Sequence, residues 1–178
     1  WRPITHATLS YGYGLSMTPL QLAQAYGALA AGGLYRPVSL VKVEKPPIAR
    51  RVVGEAAARA VVEMMEHVVT AEGTGIKAAV AGYRVSGKTG TAWKMVNGAY
   101  AKDRYAAVFA GVAPVSRPRI SIVVVVDDPR GKGFYGGDVA APVFAAVAAG
   151  ALRILAVPPD GLPPARDQGP TTLAAALP

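Results

Sequence analysis

Cysteine is absent from the 178 residues, and histidine occurs only at His6 and His67. The first absence excludes disulfides, Cys-ligated metal sites and thiol catalysis. The second leaves a Ser-His-Asp triad two candidates, and neither lies near a nucleophile-elbow pattern. His67 follows Glu63 and Arg59 at helical spacing, as a residue of a solvated ladder does. Long apolar runs are also missing. The longest uncharged stretch of the C-terminal half, Val139 to Leu152, has 14 residues. A bilayer-spanning helix takes about 20, so this stretch reads as a buried helix. Basic runs are lacking as well. The chain carries a formal charge of +8 and a pI near 9.9, but its cations are scattered, with Arg50-Arg51 the closest pair. That pattern describes a solvated basic surface, and no nucleic-acid partner is expected. No signal or transit pattern opens the sequence. It starts at Trp1 and reads from there as protein interior, so a fragment of a longer chain is the expectation.

Hydrophobic residues make up 52% and charged residues 17%, enough apolar material for a core. Thr18-Pro19 has the chemistry of a helix start, with a capping hydroxyl and a proline for the first helical position. Leu22, Tyr26 and Leu29 continue it as an apolar stripe, and Gly32-Gly33 stops it. Ser39 to Val43 reads as a short strand ended by Pro46-Pro47. A second helix is expected from about Glu55 to Val69. Its buried face is Val61, Met65 and Val68, and both Met64 and Met65 read as core filler. After Glu72-Gly73-Thr74-Gly75 the period changes to that of strands. Val85 to Trp93 and Tyr105 to Val112 flank an Asn97-Gly98 turn. Ile120 to Val126 is a β-branched run apart from Ser121, the mark of a strand buried on both faces. Three strands with short connections predict an antiparallel meander, covered by the Ala-rich helix after Asp138. The fold class expected is α+β. The boundaries expected are one body over residues 1–157 and a flexible tail over 158–178. Six of the 15 prolines fall in those last 21 residues, which cannot bury enough to offset the entropy of ordering.

Gly82 through Thr89 spells the phosphate-loop pattern GxxxxGK[ST], and Ile120–Val126 followed by Asp127 resembles a magnesium-holding strand. A phosphate loop must open a helix, whose N-terminus receives the phosphates. Thr89-Gly90-Thr91 is poor material for a first helical turn, and Asn97-Gly98 would cut the helix short. A nucleotide hydrolase is therefore a remote alternative. As a strand, the same residues each have a use. Lys88 and Gly90 share one face, and Thr89 and Thr91 the other. Lys88 supplies a positive field, and the threonine hydroxyls can bind a carboxylate. Gly90 lets a ligand lie against the backbone. A free strand edge pairs with an extended peptide. Together these fit a substrate peptide ending in a carboxylate.

Lys88-Thr89-Gly90-Thr91-Ala92 resembles the KTG motif of penicillin-binding proteins and serine β-lactamases. Its surroundings narrow the likeness. Leu9-Ser10-Tyr11-Gly12-Tyr13-Gly14 and Thr18-Pro19-Leu20-Gln21-Leu22-Ala23 resemble the stretch that precedes KTG in class B penicillin-binding proteins. Gly73-Thr74-Gly75, Ala110-Gly111-Val112-Ala113-Pro114, Val123 to Pro129, Tyr135-Gly136-Gly137 and Ala141-Pro142-Val143-Phe144 follow in family order, over about residues 5 to 160. The resemblance is to the division-specific peptidoglycan D,D-transpeptidases. It implies the C-terminal part of a penicillin-binding/β-lactamase-like transpeptidase fold, an antiparallel sheet flanked by helices. The activity implied is cross-linking of peptidoglycan stem peptides through a serine acyl-enzyme, at which β-lactam antibiotics stall.

Of the family's three motifs, SxxK, SxN and KTG, only the last stands here in its context. No Ser-x-Asn occurs. Ser39-Leu40-Val41-Lys42 spells SxxK, but in a β-branched run rather than at a helix start and on the wrong side of the Thr18-Pro19 helix. The chain alone is therefore expected to be inactive. The resemblance assigns Lys88, Thr89, Gly90 and Thr91 to the catalytic cleft. Lys88 tunes its field, Thr89 and Thr91 bind the terminal carboxylate, and the Thr91 N–H is one oxyanion donor. It places Tyr13, Tyr105, Phe134 and Tyr135 at the substrate-binding wall, though ordinary core packing would serve these aromatics equally. Trp93 departs from the basic residue that relatives often carry after the motif. No cofactor or metal is implied. The partners implied are division-complex proteins including a glycan polymerase, at the periplasmic face of the inner membrane at the septum, with a membrane anchor in a preceding segment. A serine β-lactamase or D,D-carboxypeptidase relative, or a non-catalytic penicillin-binding-like module, are the alternatives.

Overall fold

Thr18 and Gln21 close the N-terminus of α2 (Pro19–Ala30) reciprocally. The Gln21 N–H donates to Thr18 Oγ1 at 3.2 Å, and the Thr18 N–H donates to Gln21 Oε1 at 2.9 Å. This capping box satisfies two helix-end donors at once. The helix stops where the Gly33 N–H donates to Ala28 O at 2.8 Å, with Gly32 and Gly33 both at positive φ. A Cβ on Gly33 would lie 2.1 Å from Val53 O, so no other residue fits there. The computed structural model of the chain describes residues 2–10, 12, 14–131 and 133–161. A short helix, α1 (Pro3–Leu9), precedes α2. After it β1 (Leu34–Tyr35) pairs antiparallel with β2 (Arg50–Arg51) and leads into α3 (Glu55–Glu66).

The central sheet has the order β3 (Ser86–Val96), β4 (Ala99–Ala113), β5 (Ile120–Asp127), antiparallel throughout. Asn97 and Gly98 join β3 to β4 at φ of 52° and 80°, the left-handed pair that a tight hairpin turn requires. On one face α2 and α3 lie against the sheet. Ser121 Oγ donates to Ala23 O at 2.9 Å, and the buried Ser86 Oγ donates to Val62 O at 2.7 Å. The other face carries α4 (Gly136–Val139) and α5 (Ala141–Ile154). There Phe109 meets Phe144 edge-on at 4.8 Å, and Ala141, Ala148 and Leu152 are fully buried. Small residues at 141 and 148 let α5 approach the strands closely. Among the described residues, β3 and β5 each keep one edge without a strand partner.

Several expectations are corrected. Ser39–Val43 is not a strand. It is exposed and irregular, and the Ser39 hydroxyl folds back on Val41, donating to its O at 2.6 Å and accepting from its N–H at 3.2 Å. With no partner strand, β propensity has nothing to pair with. In α3 the buried residues are Ala58 and Val62. Val61, Met65 and Val68 are half-buried, and Met64 is 62% exposed, hence not core. The helix packs on the small side of its stripe, where the Val62 carbonyl reaches Ser86. β5 is an edge strand with no fully buried residue. The strand buried on both faces is the second half of β4, from Ala107 to Ala113. Gly82–Thr89 runs into a strand, not a helix, which removes the phosphate-loop reading.

Pro158–Gly161, assigned from sequence to a flexible tail, are held on the body. Asp160 accepts from the Arg84 and Ser116 N–H groups at 2.8 and 3.0 Å, and the Gly161 N–H donates to Gly82 O at 2.9 Å. Burial pushes the Asp160 carboxyl up, and these hydrogen bonds, with the Arg84 charge, outweigh it and hold the group below the usual range. Residues 162–178 lie outside the described residues.

Candidate active site

β3 carries Lys88, Thr89, Gly90 and Thr91 in succession, and the pairing register sorts them by face. Thr89 stands opposite Phe109 and Thr91 opposite Ala107, on the side of α4 and α5. Lys88 and Gly90 point to the side of α2 and α3. Lys88 is exposed, and its ammonium curls over the strand to donate to Thr89 O at 3.0 Å, 3.4 Å from Thr89 Oγ1. A Cβ on Gly90 would meet only Val108 Cβ, at 3.6 Å. The space above the backbone there is therefore open on the protein's side.

The two threonines have different partners. Thr91 Oγ1 accepts from the Gly136 N–H at 3.1 Å, so this hydroxyl anchors the start of α4. Thr89 Oγ1 lies 2.9 Å from Thr74 Oγ1, which comes from the glycine turn before the short helical segment Ile76–Ala78. Close backbone approach makes this possible. A Cβ on Gly136 would sit 2.2 Å from Val108 O and 2.6 Å from Gly90 O, and one on Gly137 would sit 2.1 Å from Thr74 O. The Tyr135-Gly136-Gly137 sequence thus lays α4 directly on the strand. A depression of about 290 Å³ results, lined by Thr74, Thr89, Thr91, Tyr135, Gly136, Gly137 and Asp138. At its rim Lys77 Nζ pairs with Asp138 Oδ1 at 2.7 Å.

Next to it lies a depression of about 310 Å³ lined by Thr91, Trp93, Tyr105, Phe134 and Tyr135. Tyr105 and Phe134 stack with centroids 4.2 Å apart at 18°, and Phe134 tilts against Tyr135 at 4.3 Å. Tyr105 is tied down by its hydroxyl, which donates to Lys102 O at 2.9 Å. The two depressions share Thr91 and Tyr135, so a hydroxyl-lined floor runs into an aromatic wall along one strand. Of the residues singled out from the sequence, Lys88, Thr89, Gly90, Thr91, Tyr105, Phe134 and Tyr135 are brought together. Tyr13 lies outside the described residues. Thr74, Lys77 and Asp138 escape a linear reading of function. Gly73-Thr74-Gly75 offers a hint, a hydroxyl between two glycines, but nothing in the sequence joins Lys77 to a residue 61 positions away.

A larger cavity, about 590 Å³, opens at the far end of α3 between Arg51, Arg59, Arg84 and Arg117. Three of these cations are engaged. Arg59 pairs with Glu55, Arg84 chelates Glu66 through two 2.7 Å bonds, and Arg51 donates to Gly32 O and Val53 O. Size alone does not make it the site, since its polar groups serve one another.

The antiparallel sheet, the Lys-Thr-Gly-Thr strand with no outer strand partner among the described residues and the hydroxyl-lined depression beside it together define an α+β domain with a strand-borne cleft. The chain belongs to the family of penicillin-binding protein transpeptidase domains, whose model matches residues 1–149. It is 48% identical over 162 residues to the peptidoglycan D,D-transpeptidase FtsI of Escherichia coli. To the probable peptidoglycan D,D-transpeptidase PenA of Neisseria meningitidis it is 46% identical over 159 residues. These alignments cover 91% and 89% of this chain but 28% and 27% of the relatives. The solved apo transpeptidase domain of Burkholderia pseudomallei penicillin-binding protein 3 superposes with a TM-score of 0.84 at 48% identity, over 92% of this chain and 50% of that one. The chain thus spans under a third of these two curated relatives and half of that solved domain.

Proposed function

We propose that this chain forms the carboxylate-recognising side of the cleft of a septal peptidoglycan D,D-transpeptidase. The observation that carries the reading is the Thr74–Thr89 hydroxyl pair beside Lys88 on a strand whose outer edge has no strand partner among the described residues. A stem peptide ending in D-Ala-D-Ala lies along β3, its terminal carboxylate at the Thr89 and Thr91 positions and the Lys88 ammonium. A serine supplied by residues outside this chain attacks the penultimate D-Ala carbonyl. The terminal D-Ala leaves with the serine proton, and an amine of a neighbouring stem then displaces the serine, which regains a proton. The Thr91 N–H serves as one oxyanion donor. Tyr105, Phe134 and Tyr135 form the apolar wall. A β-lactam carries the same carboxylate and stops at the acyl step.

No Ser-x-Asn exists in the 178 residues, and Ser39 of the single Ser-x-x-Lys lies in an irregular exposed segment rather than at a helix start. The chain by itself is therefore inactive, and the complete protein works at the periplasmic face of the inner membrane with division proteins and a glycan polymerase. Incubating this chain, and the complete protein that contains it, with a fluorescent penicillin tests the reading. The complete protein is labelled and the chain alone is not. Covalent label on any serine of residues 1–178 overturns it.

A further inference from the structure

Asp138 places a carboxylate on the rim of the depression that holds Thr74, Thr89 and Thr91. In a site that receives a carboxylate this is the wrong charge, and it needs an account. It sits on α4, two residues after Gly136, whose N–H donates to Thr91 Oγ1, and its own N–H donates to Tyr135 O at 2.9 Å. The residue is thus fixed in place by backbone contacts on the same element that roofs the site. Its side chain meets one cation, Lys77, at 2.7 Å. Lys77 comes from the other wall, the Ile76–Ala78 segment that follows Thr74-Gly75. The pair is about half exposed on both sides, and such a surface pair adds little stability. The fold does not depend on it either, since Gly137 against Thr74 O already locks the two walls together by backbone contact.

We propose that Lys77 is a positioning and charge-screening residue of the carboxylate site. It holds the Asp138 carboxylate away from the floor and cancels its field there, so the acid makes recognition depend on Lys77 being charged. This rests on the proposed carboxylate recognition and deepens it. With Lys77 in place, the cations around the floor are Lys88 and Lys77 against one acid, leaving a net positive field for an anionic ligand. Without it, Lys88 faces Asp138 alone and the field at the floor falls to near neutral. Two charges a few ångströms apart at a hydrated rim change the encounter and binding of an anion by about three- to tenfold, and salt screens the effect. A tether would behave differently, because removing either partner breaks it equally.

The test measures the second-order rate of acylation of the complete protein by a penicillin and by the methyl ester of the same penicillin. Lys77→Met slows the acid three- to tenfold and leaves the ester alone, and the gap to wild type closes at high ionic strength as the wild type's positive field is screened. Asp138→Asn does not slow the acid, and the double variant stays within about twofold of wild type. The screening role is overturned if Asp138→Asn slows acylation as much as Lys77→Met, if the ester suffers as much as the acid, or if the gap between Lys77→Met and wild type persists at high salt. Wild-type protein that reacts with acid and ester at one rate would instead remove the carboxylate site itself, whatever the Lys77 variant does.

Discussion

Thr74 Oγ1 lies 2.9 Å from Thr89 Oγ1, so hydroxyls from two segments 15 residues apart meet on one side of the Lys-Thr-Gly strand. Only one proton can lie between the two oxygens, and the other hydroxyl is free to donate outward. In the proposed function the outward donor is Thr89, and a bound carboxylate is the acceptor it meets. Thr89→Val removes that donor and lowers β-lactam acylation of the complete protein by about ten- to a hundredfold, the range for a hydrogen bond to a charged group. Thr74→Val acts through Thr89 and costs less. Rate constants with a fluorescent penicillin read both, and an equal loss at the two positions would contradict the assignment.

Glycine positions divide by function. Alanine at Gly137 drives a Cβ to 2.1 Å from Thr74 O, against backbone that cannot yield cheaply. We expect about 1–3 kcal/mol of destabilisation or displacement of α4, read by urea unfolding. Gly90→Ala meets only Val108 Cβ at 3.6 Å, so stability stays within about 1 kcal/mol while ligand binding falls. A stability loss at Gly90 matching that at Gly137 would show that position 90 serves packing, not ligand access.

Asp160 clasps the Pro158–Gly161 segment to the turn before β3 and to the β4–β5 connection. Its folded pKa lies below the unfolded value. Its contribution is therefore fully present above the unfolded pKa, about 4, and is lost as pH falls through the folded value. Exchange at the Arg84 and Ser116 amides, taken relative to the intrinsic rate at each pH between 6 and 2 (chosen to bracket about 4), should be faster at the acid end. Asp160→Ala should show the fast exchange throughout and lose about 1 kcal/mol of stability. Slow exchange persisting in the variant would place the clasp elsewhere.

The Phe109–Phe144 contact joins β4 to α5 at zero exposure on both sides. Phe144→Ala leaves a cavity between sheet and helix and costs about 3–5 kcal/mol. Val143→Ala, on the half-exposed outer side of the same helix, costs under about 1 kcal/mol. Thermal or urea unfolding separates the two.

Much of the architecture is written locally. Thr18, Pro19 and Gln21 hold a complete helix start within four residues, and Asn97-Gly98 admits the left-handed hairpin that joins β3 to β4. Those elements come from short-range chemistry, and the sequence expectation matches the structure there. It fails where burial is decided by neighbours. The β-branched run Ile120–Val126 looks doubly buried yet forms an edge, while Ala107–Ala113, less apolar to the eye, is the covered strand. Ser39–Val43 has strand residues and no strand to join.

At the site the same division holds. The Lys88-Thr89-Gly90-Thr91 strand, its alternation of faces and its likeness to the KTG motif are legible in order along the chain, as are Tyr105, Phe134 and Tyr135. The pairing of Thr74 with Thr89, the seating of Gly136 on Thr91, and the Lys77–Asp138 ion pair exist only once β3, the glycine turn and α4 converge. Sequence order fixes what a residue can donate, accept or charge, because that is covalent chemistry and local backbone preference. Which of those groups face one another is set by the packing of distant segments. That packing pairs Thr91 with Gly136 and leaves the Thr74–Thr89 pair facing the cleft.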